Sequence, residues 1–349
     1  MSVRHVTVGL LAVGLLVAQE PQDSQQPTFR IGVDIVMAPV TVTDAQGNNV
    51  NGLTALDFQL FDNGILQTVA EDVTSHPISM VVAVQASANM EQLLPNLRKI
   101  GSLFNNVVGE SGEVAVLAFD HRIQTMTGFT SDPDKISEAF KKIKSGSGTS
   151  HLNDAANQAT YMLRTRPSNR RRIMMLIAET RDYGSAVNVR DVLTNVEFAN
   201  IVVYPIEVSH LMTSLTSKAE PPRPSAVPPE ARQLPAGIVG TLTTDAQQNM
   251  GNYTPIFKEI FTATKAIFIS NPQEVYAKFT GGKEYSYKTQ RGLEQAITEI
   301  GNEVHSQYLL TYIPSNKAEG GYHDIVVKVL RRDLEVRTRR GYWVAPQPN

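Results

Sequence analysis

Residues 80–84 are apolar at every position, and polar or small residues follow them at once at Gln85, Ser87 and Asn89. Leucines and isoleucines then recur at helical spacing. An unbroken apolar run of this kind is typical of a strand buried on both faces of a parallel sheet. Such a strand delivers its following residues to the carboxyl edge of the sheet, where open α/β folds bind ligands.

The same pattern of strand and helix continues along the chain. Further apolar strand patterns occupy residues 114–119, 173–178 and 201–208, and helical patterns lie between them. This alternation predicts an α/β fold with a doubly wound, mainly parallel sheet covered by helices on both faces. We place this domain at residues 77–305, with a Pro-rich insertion at 209–252.

Both ends of the chain show strand patterns without convincing helices. Four strands are predicted before Pro77, and three more between residues 307 and 338. Seven strands is the count of an immunoglobulin-like sandwich. We therefore predict that residues 29–76 and 306–346 build one immunoglobulin-like β-sandwich, with the α/β domain inserted between them. Two separate β units are the alternative.

The first residues and the composition predict the compartment and the class of partner. A basic start and a short apolar run make residues 1–18 a predicted signal peptide, followed by a flexible leader at 19–28. We expect export to the periplasm or the extracellular space, without stable membrane insertion. The formal net charge of −2 argues against nucleic acid as a partner. The chain contains no cysteine, which excludes disulfides and thiolate metal sites.

Several short segments occur in a fixed order along the chain. They are Pro39 to Asp44, Gly52 to Phe58, Asp62 to Gly64, Phe119 with Asp120, Phe129 to Asp132, Gly148 with Thr149, Asp154 with Ala155, Thr280 to Gly282, Ser306 to Leu310, and Arg340 to Tyr342. In these segments the chain resembles the VWFA-related exported proteins of the acidobacterial type, which contain a von Willebrand factor A domain. The resemblance implies an exported protein and a fold more than a chemistry.

The resemblance also implies where a ligand site would lie. In von Willebrand A domains, serine and threonine hydroxyls together with aspartates hold a divalent ion, and the first loop reads Asp-x-Ser-x-Ser. Here Gln85 stands at the first aspartate, and Glu179 at the second. The remaining ligand positions fall to Ser87, Asn89 and Thr149.

The substitutions remove one of two carboxylates, and divalent ions need compensating negative charge. We therefore expect no cofactor, or weak Mg²⁺ or Ca²⁺ binding at most, at Ser87, Asn89, Thr149 and Glu179. Asp182 is a possible additional ligand or, alternatively, a helix cap. Alternatively, Ser87, Asn89 and Thr149 cap loops and helix starts.

These observations favour a non-enzymatic module that binds a protein partner, or assembles with one, at the carboxyl edge of the sheet. The first alternative is a structural scaffold of the cell envelope in which that edge is vestigial. The second is a hydrolase using Ser150, His151 and Asp154, although neighbouring residues rarely meet as a triad. The sequence contains no signal for an oligomeric state.

Overall fold

The structure, a computed structural model, describes residues 35–71, 76–208, 271–316 and 321–344. The predicted signal peptide, the leader and the Pro-rich insertion at 209–252 lie outside these residues. Within them, fourteen strands form one six-stranded and two four-stranded sheets. The strands are β1 Val36–Asp44, β2 Phe58–Asp62, β3 Ile65–Gln67, β4 Ala70–Glu71, β5 Ile78–Gln85, β6 Glu113–Phe119, β7 Ile123–Thr130, β8 Arg171–Ala178, β9 Ile201–Val208, β10 Tyr285–Tyr287, β11 Tyr308–Tyr312, β12 Gly321–Val329, β13 Leu334–Thr338 and β14 Gly341–Val344.

The described helices cover both faces of the six-stranded sheet. They are α1 Leu94–Leu97, α2 Phe104–Val108, α3 Pro133–Lys141, α4 Leu152–Arg164, α5 Val189–Phe198, α6 Pro272–Thr280 and α7 Gln290–Ser306. None of them combines the length and the apolar composition needed to cross a bilayer. Helix α6 ends at Gly281, whose left-handed backbone (φ 83°) is the conformation that glycine adopts without strain.

The six-stranded sheet has the order β10-β9-β8-β5-β6-β7, and all of its pairings are parallel except that between β6 and β7. Strand β5 is buried along its whole length, because a hydrophobic cluster fills each face of the sheet. The mainly parallel α/β arrangement predicted from the apolar runs is therefore present.

The helical pattern after β5 does not form one helix. Instead, α1 and α2 are separated by a 3₁₀ turn at Ile100–Leu103. Gly101 lies in that turn, where a side chain would approach the Cα of Ser137 on α3 to 2.7 Å. Glycine allows this close packing and weakens a continuous helix at the same point.

The two four-stranded sheets each combine strands from both ends of the chain. One has the order β13-β1-β11-β4 and the other β14-β12-β2-β3, and all of their pairings are antiparallel. A common hydrophobic core lies between them, with residues such as Val40, Leu60 and Leu310. The described strands number eight rather than the predicted seven, because the short β14 was not predicted. The immunoglobulin-like assignment of these sheets stays a prediction.

Buried and half-buried polar contacts join these sheets to the α/β layer. The Arg337 guanidinium lies 2.6 Å from a carboxylate oxygen of Glu303 on α7. The Gln307 side chain donates both to the Thr41 hydroxyl of β1 (3.0 Å) and to the Tyr204 hydroxyl of β9 (2.9 Å). Arg339 is buried and donates to the side chain of Asn200.

Candidate functional site

The predicted site begins with two buried residues at the carboxyl edge of the six-stranded sheet. Gln85 is the last residue of β5, and Glu179 directly follows β8. The two strands are parallel neighbours, with Val84 opposite Ile177, so their carboxyl ends meet. The exposed fraction is 0% for Gln85 and 1% for Glu179. Both side chains are therefore almost completely shielded from solvent.

The direction of the Gln85 amide is fixed by one backbone hydrogen bond. The N–H of Glu179 can only donate, and it lies 2.9 Å from the Gln85 Oε1 atom. The other end of the amide must therefore be the NH₂ group, which can only donate. It donates to the Ser87 hydroxyl (2.8 Å) and to Glu179 Oε2 (2.9 Å).

This arrangement does not fit a divalent ion. A cation shared by Ser87 and Glu179 would face the two hydrogens of the Gln85 amide, where hard cations need oxygen atoms. Among the residues that the structure describes, no group of three His, Asp or Glu side chains could hold a metal ion. In this geometry the amide nitrogen provides the link between serine and carboxylate that an ion would otherwise provide.

Thr149 lies on the loop between α3 and α4, and its side chain is exposed. Its hydroxyl contacts the Ser147 hydroxyl at 3.2 Å, and Ser147 in turn contacts His121 Nδ1 at 2.7 Å. The described contacts do not include a hydrogen bond between Thr149 and Ser87 or Glu179. Thr149 thus lies on the solvent side of the site rather than in its buried network.

Asn89 and Asp182 also lie apart from the Gln85 network. Asn89 is half-buried in the 3₁₀ turn at Ala88–Met90, and the Ser87 side chain makes no capping bond to that turn. The Asp182 carboxylate accepts from the backbone N–H of Asn153 (3.1 Å), near the start of α4, and from the N–H and hydroxyl of Ser185. Asp182 is therefore held as a helix cap, the alternative role that the sequence suggested for it.

A further buried carboxylate, Asp120, lies at the same edge and was not among the predicted site residues. Its exposed fraction is 2%. It accepts from the backbone N–H groups of Ser147 (2.8 Å) and Arg122 (2.7 Å). Burial opposes ionisation, but these bonds, with the charges of His121 and Arg122, hold the pKa of Asp120 below its usual value. Asp120 directly follows β6, just as Gln85 ends the neighbouring parallel strand β5. This position at the end of an apolar run is the sequence signal that could have identified Asp120.

Backbone hydrogen bonds lock the loops of this edge together. The N–H of Gly146 donates to the Ala86 carbonyl (2.7 Å), and the N–H of Ala88 donates to the Ser147 carbonyl (2.8 Å). A side chain on Gly146 would place its Cβ 2.1 Å from Asp120 Oδ2. Glycine is therefore needed here for close approach rather than for an unusual backbone angle.

The residues considered for hydrolysis are not arranged as a triad. The Ser150 hydroxyl is buried and has no hydrogen-bond partner among the described residues. His151 Nδ1 lies 3.4 Å from the Asp154 carboxylate, which also accepts from the backbone N–H groups of Ala186 and Val187. The Asp154 carboxylate thus anchors the loop between β8 and α5.

Solved structures that this chain matches include BatB from Bacteroides thetaiotaomicron, with 15% identity and a TM-score of 0.41 over 64% of this chain and 99% of that chain. A von Willebrand factor type A protein from Catenulispora acidiphila has 10% identity and a TM-score of 0.44 over 77% of this chain and 49% of that chain. An aerotolerance-related membrane protein from Bacteroides fragilis has 15% identity and a TM-score of 0.38 over 64% of this chain and 98% of its own. No curated protein matches the chain.

The family model of the von Willebrand factor type A domain matches residues 80–180. This stretch runs from β5 to Thr180, just beyond β8, and so includes Gln85, Ser87, Thr149 and Glu179. The predicted membership of these residues in a von Willebrand A fold is confirmed, while the narrower kinship with acidobacterial proteins stays a prediction. Residues 80–180 of this chain therefore form a von Willebrand factor type A domain.

Proposed function

We propose that the von Willebrand A domain binds a protein partner at the carboxyl edge of its sheet, near Ser87, Thr149 and Glu179, and does so without a divalent ion. The observation that carries this proposal is the Gln85 amide, which donates to both Ser87 and Glu179. The first loop of the metal-ion-dependent adhesion site is kept in spacing, but its centre is closed by hydrogen bonds from the neutral Gln85 amide. The site is thus a degenerate one.

A rigid edge suits a binding role, because little ordering is needed when the partner arrives. The edge loops are held by main-chain bonds between Ala86 and Gly146 and between Ala88 and Ser147. A non-enzymatic role is consistent with the positions of Ser150 and His151, which are not joined by a described hydrogen bond. Export remains part of the proposal on the basis of residues 1–18.

Site-specific photo-crosslinking in cells tests this function. A crosslinking amino acid at Asn89 or Thr149 should capture a partner, and chelator should not abolish capture. Glu110 is the matched control position, since it is exposed at the opposite edge of the sheet, just before β6. Capture at Glu110 alone, or capture at Thr149 that chelator abolishes, would contradict the proposal.

A specific observation also supports the alternative of a structural scaffold. On one four-stranded sheet, Phe61 lies between Val326 and Leu66 on neighbouring strands, and the exposed fractions of the latter two are 42% and 56%. Exposed apolar patches mark interaction surfaces. Crosslinking from Leu66, with none from Thr149, would favour the scaffold.

A further inference from the structure

A cavity of about 250 Å³ opens at the carboxyl edge, beside the Gln85 network. Ala86, which separates Gln85 from Ser87 in the chain, forms part of its wall together with Gly146. Sites for small organic ligands usually measure roughly 300–1,000 Å³. This cavity is therefore matched to one or two side chains of a partner rather than to a larger free ligand.

The charges around the cavity are mostly positive. Its lining includes Arg122, Lys142 and Lys144, against the single carboxylate of Asp120. The Asp120 carboxylate accepts two backbone N–H groups and pairs with Arg122 at 3.6 Å, so it offsets one of the three cations. The lining therefore keeps two more positive than negative side chains.

Neighbouring acidic groups change this balance little. Lys142 lies 3.6 Å from Glu138 on α3, but both side chains are about two-thirds exposed (67% and 64%), so water screens the pair. Lys144 is exposed and has no ion-pair partner among the residues that the structure describes. The cavity thus presents excess positive charge to solvent.

The backbone that bears these side chains is held in place. Arg122 follows Asp120 in the turn before β7, and its N–H is bonded to the Asp120 carboxylate. Lys144 lies two residues before Gly146, whose N–H is bonded to Ala86. Fixed attachment points reduce the entropy that is lost when a charged ligand is bound.

A larger cavity among the described residues differs in its charges. It measures about 770 Å³ and is lined by Lys283 and Arg337 together with Glu299, Glu303 and Glu335. The Arg337 guanidinium is already paired with Glu303 at 2.6 Å. Charges of both signs give this cavity no preference for an anionic ligand.

We infer that the smaller cavity binds carboxylate side chains from an acidic segment of the protein partner, through Arg122, Lys142 and Lys144. These cations would contact the carboxylates directly by charge-assisted hydrogen bonds, without an intervening ion. The formal net charge of −2 favours an acidic peptide over a nucleic acid, whose binders carry strong basic surfaces. This inference rests on the proposed function and specifies the chemistry of its partner.

Fluorescence anisotropy of the full chain with a labelled oligoglutamate peptide, in the presence of EDTA, tests the inference. We expect binding that weakens as salt is raised, because exposed charges are screened. The variant Arg122→Gln/Lys142→Gln/Lys144→Gln should bind about tenfold more weakly, from three exposed charge pairs. The single variant Lys144→Glu should also weaken binding.

The matched control is Lys278→Gln/Lys328→Gln/Arg332→Gln, which removes three exposed cations elsewhere in the molecule. It should keep the wild-type affinity, and thermal denaturation should show that both triple variants are folded. An equal loss in both triple variants would overturn the inference, as would an absolute requirement for a divalent ion. Tighter binding of a labelled oligothymidylate, lost in the first variant, would instead indicate a nucleic-acid site and overturn it too.

The outcome is separable from that of the proposed function. If oligoglutamate does not bind, but chelator-resistant crosslinking at Thr149 persists, the inference about acidic partners is wrong and the binding edge stands. If crosslinking at Thr149 is also absent, both are wrong.

Discussion

The backbone N–H of Glu179 donates to the side-chain oxygen of Gln85, and this bond turns the amide nitrogen toward Ser87 and toward the Glu179 carboxylate. A glutamine thus occupies the centre of a loop whose family counterpart carries an aspartate. Its oxygen is engaged by the backbone and its nitrogen cannot bind a cation. We therefore propose that the side chain at position 85 decides whether this edge can bind a divalent ion.

Restoring the acidic residue should restore ion binding. In Gln85→Asp/Asn89→Ser, a second carboxylate would lie beside Glu179 and the first loop would regain its second serine, so Mg²⁺ or Mn²⁺ should raise the melting temperature. Saturation at about 100-fold above Kd stabilises a protein by about 2.7 kcal/mol. The wild type and Asn89→Ser alone should show no rise in differential scanning fluorimetry. Without metal, the double variant should be less stable than the wild type, since like charges would be buried together.

Micromolar binding by the wild type in calorimetry would contradict this prediction. It would require the Gln85 amide to turn away from Ser87, against the bond from the Glu179 N–H.

Gly146→Ala should disturb the edge loops. The added methyl group would lie 2.1 Å from Asp120 Oδ2, so that either the carboxylate or the loop must move. We expect a loss of about 1–3 kcal/mol in the free energy of unfolding, as for other overpacked sites, together with weaker oligoglutamate binding. Urea denaturation measures the first effect. Gly128→Ala is the control, because a side chain there meets nothing within 4 Å. Equal stability of the two variants would contradict the proposed close contact.

Glu197 on α5 should make stability depend on pH. Burial raises its pKa from 4.5 to about 7, although the charge of Arg339 and the hydrogen bond from Trp343 act in the opposite direction. Between these two values the unfolded chain is ionised while the folded protein keeps its proton. The contribution of Glu197 to the free energy of unfolding is therefore full below pH 4.5 and is lost as the pH rises to about 7.

Glu197→Gln cannot ionise and removes this dependence. Relative to the variant, the wild type should lose up to about 3 kcal/mol of unfolding free energy over this range. Urea denaturation at a series of pH values measures the difference, with Glu138→Gln as an exposed control. A constant difference between wild type and Glu197→Gln would show that the carboxyl is ionised throughout.

Asp62 should be needed for the two four-stranded sheets. Its buried carboxylate accepts from the hydroxyls of Tyr312 (2.9 Å) on β11 and Tyr342 (2.6 Å) on β14, and lies 2.6 Å from His323 Nδ1 on β12. Asp62→Ala leaves these groups without their acceptor, and we expect a loss of about 3–5 kcal/mol.

Limited proteolysis provides the readout for Asp62→Ala. Residues 35–71 should become more sensitive to protease, because their partner strands lie at the other end of the chain. Tyr312→Phe removes one donor and should cost about 1 kcal/mol. If Asp62→Ala loses no more unfolding free energy than Tyr312→Phe, the hydrogen bonds around Asp62 contribute little to stability.

The main elements of the α/β layer follow from local patterns in the sequence. Strand β5 is buried on both faces, and its unbroken apolar residues predict it directly. Strand β7 lies at the edge of the sheet and none of its residues is fully buried, so its sequence carries no strong period. The strands β10 and β14 have only 3 and 4 residues, too few for a periodic signal.

The candidate site was less accessible to sequence reasoning. Parallel strand ends indicate that Gln85 and Glu179 lie close together, but not which way an amide faces. That direction depends on the backbone of Glu179, which local sequence does not determine. The carboxylate of Asp120 likewise depends on a loop 27 residues further along the chain, through the N–H of Ser147.

The pairing of the two chain ends also sets an order of events during synthesis. Val36 on β1 lies opposite Tyr312 on β11, so β1 leaves the ribosome long before its partner exists. All strands of the six-stranded sheet precede β11 in the chain, and this sheet can therefore form first. Until the last strands are made, β1 to β4 present unpaired edges, which are prone to associate with other chains. The nascent protein thus passes through a stage in which its first strands must be kept apart from those of its neighbours.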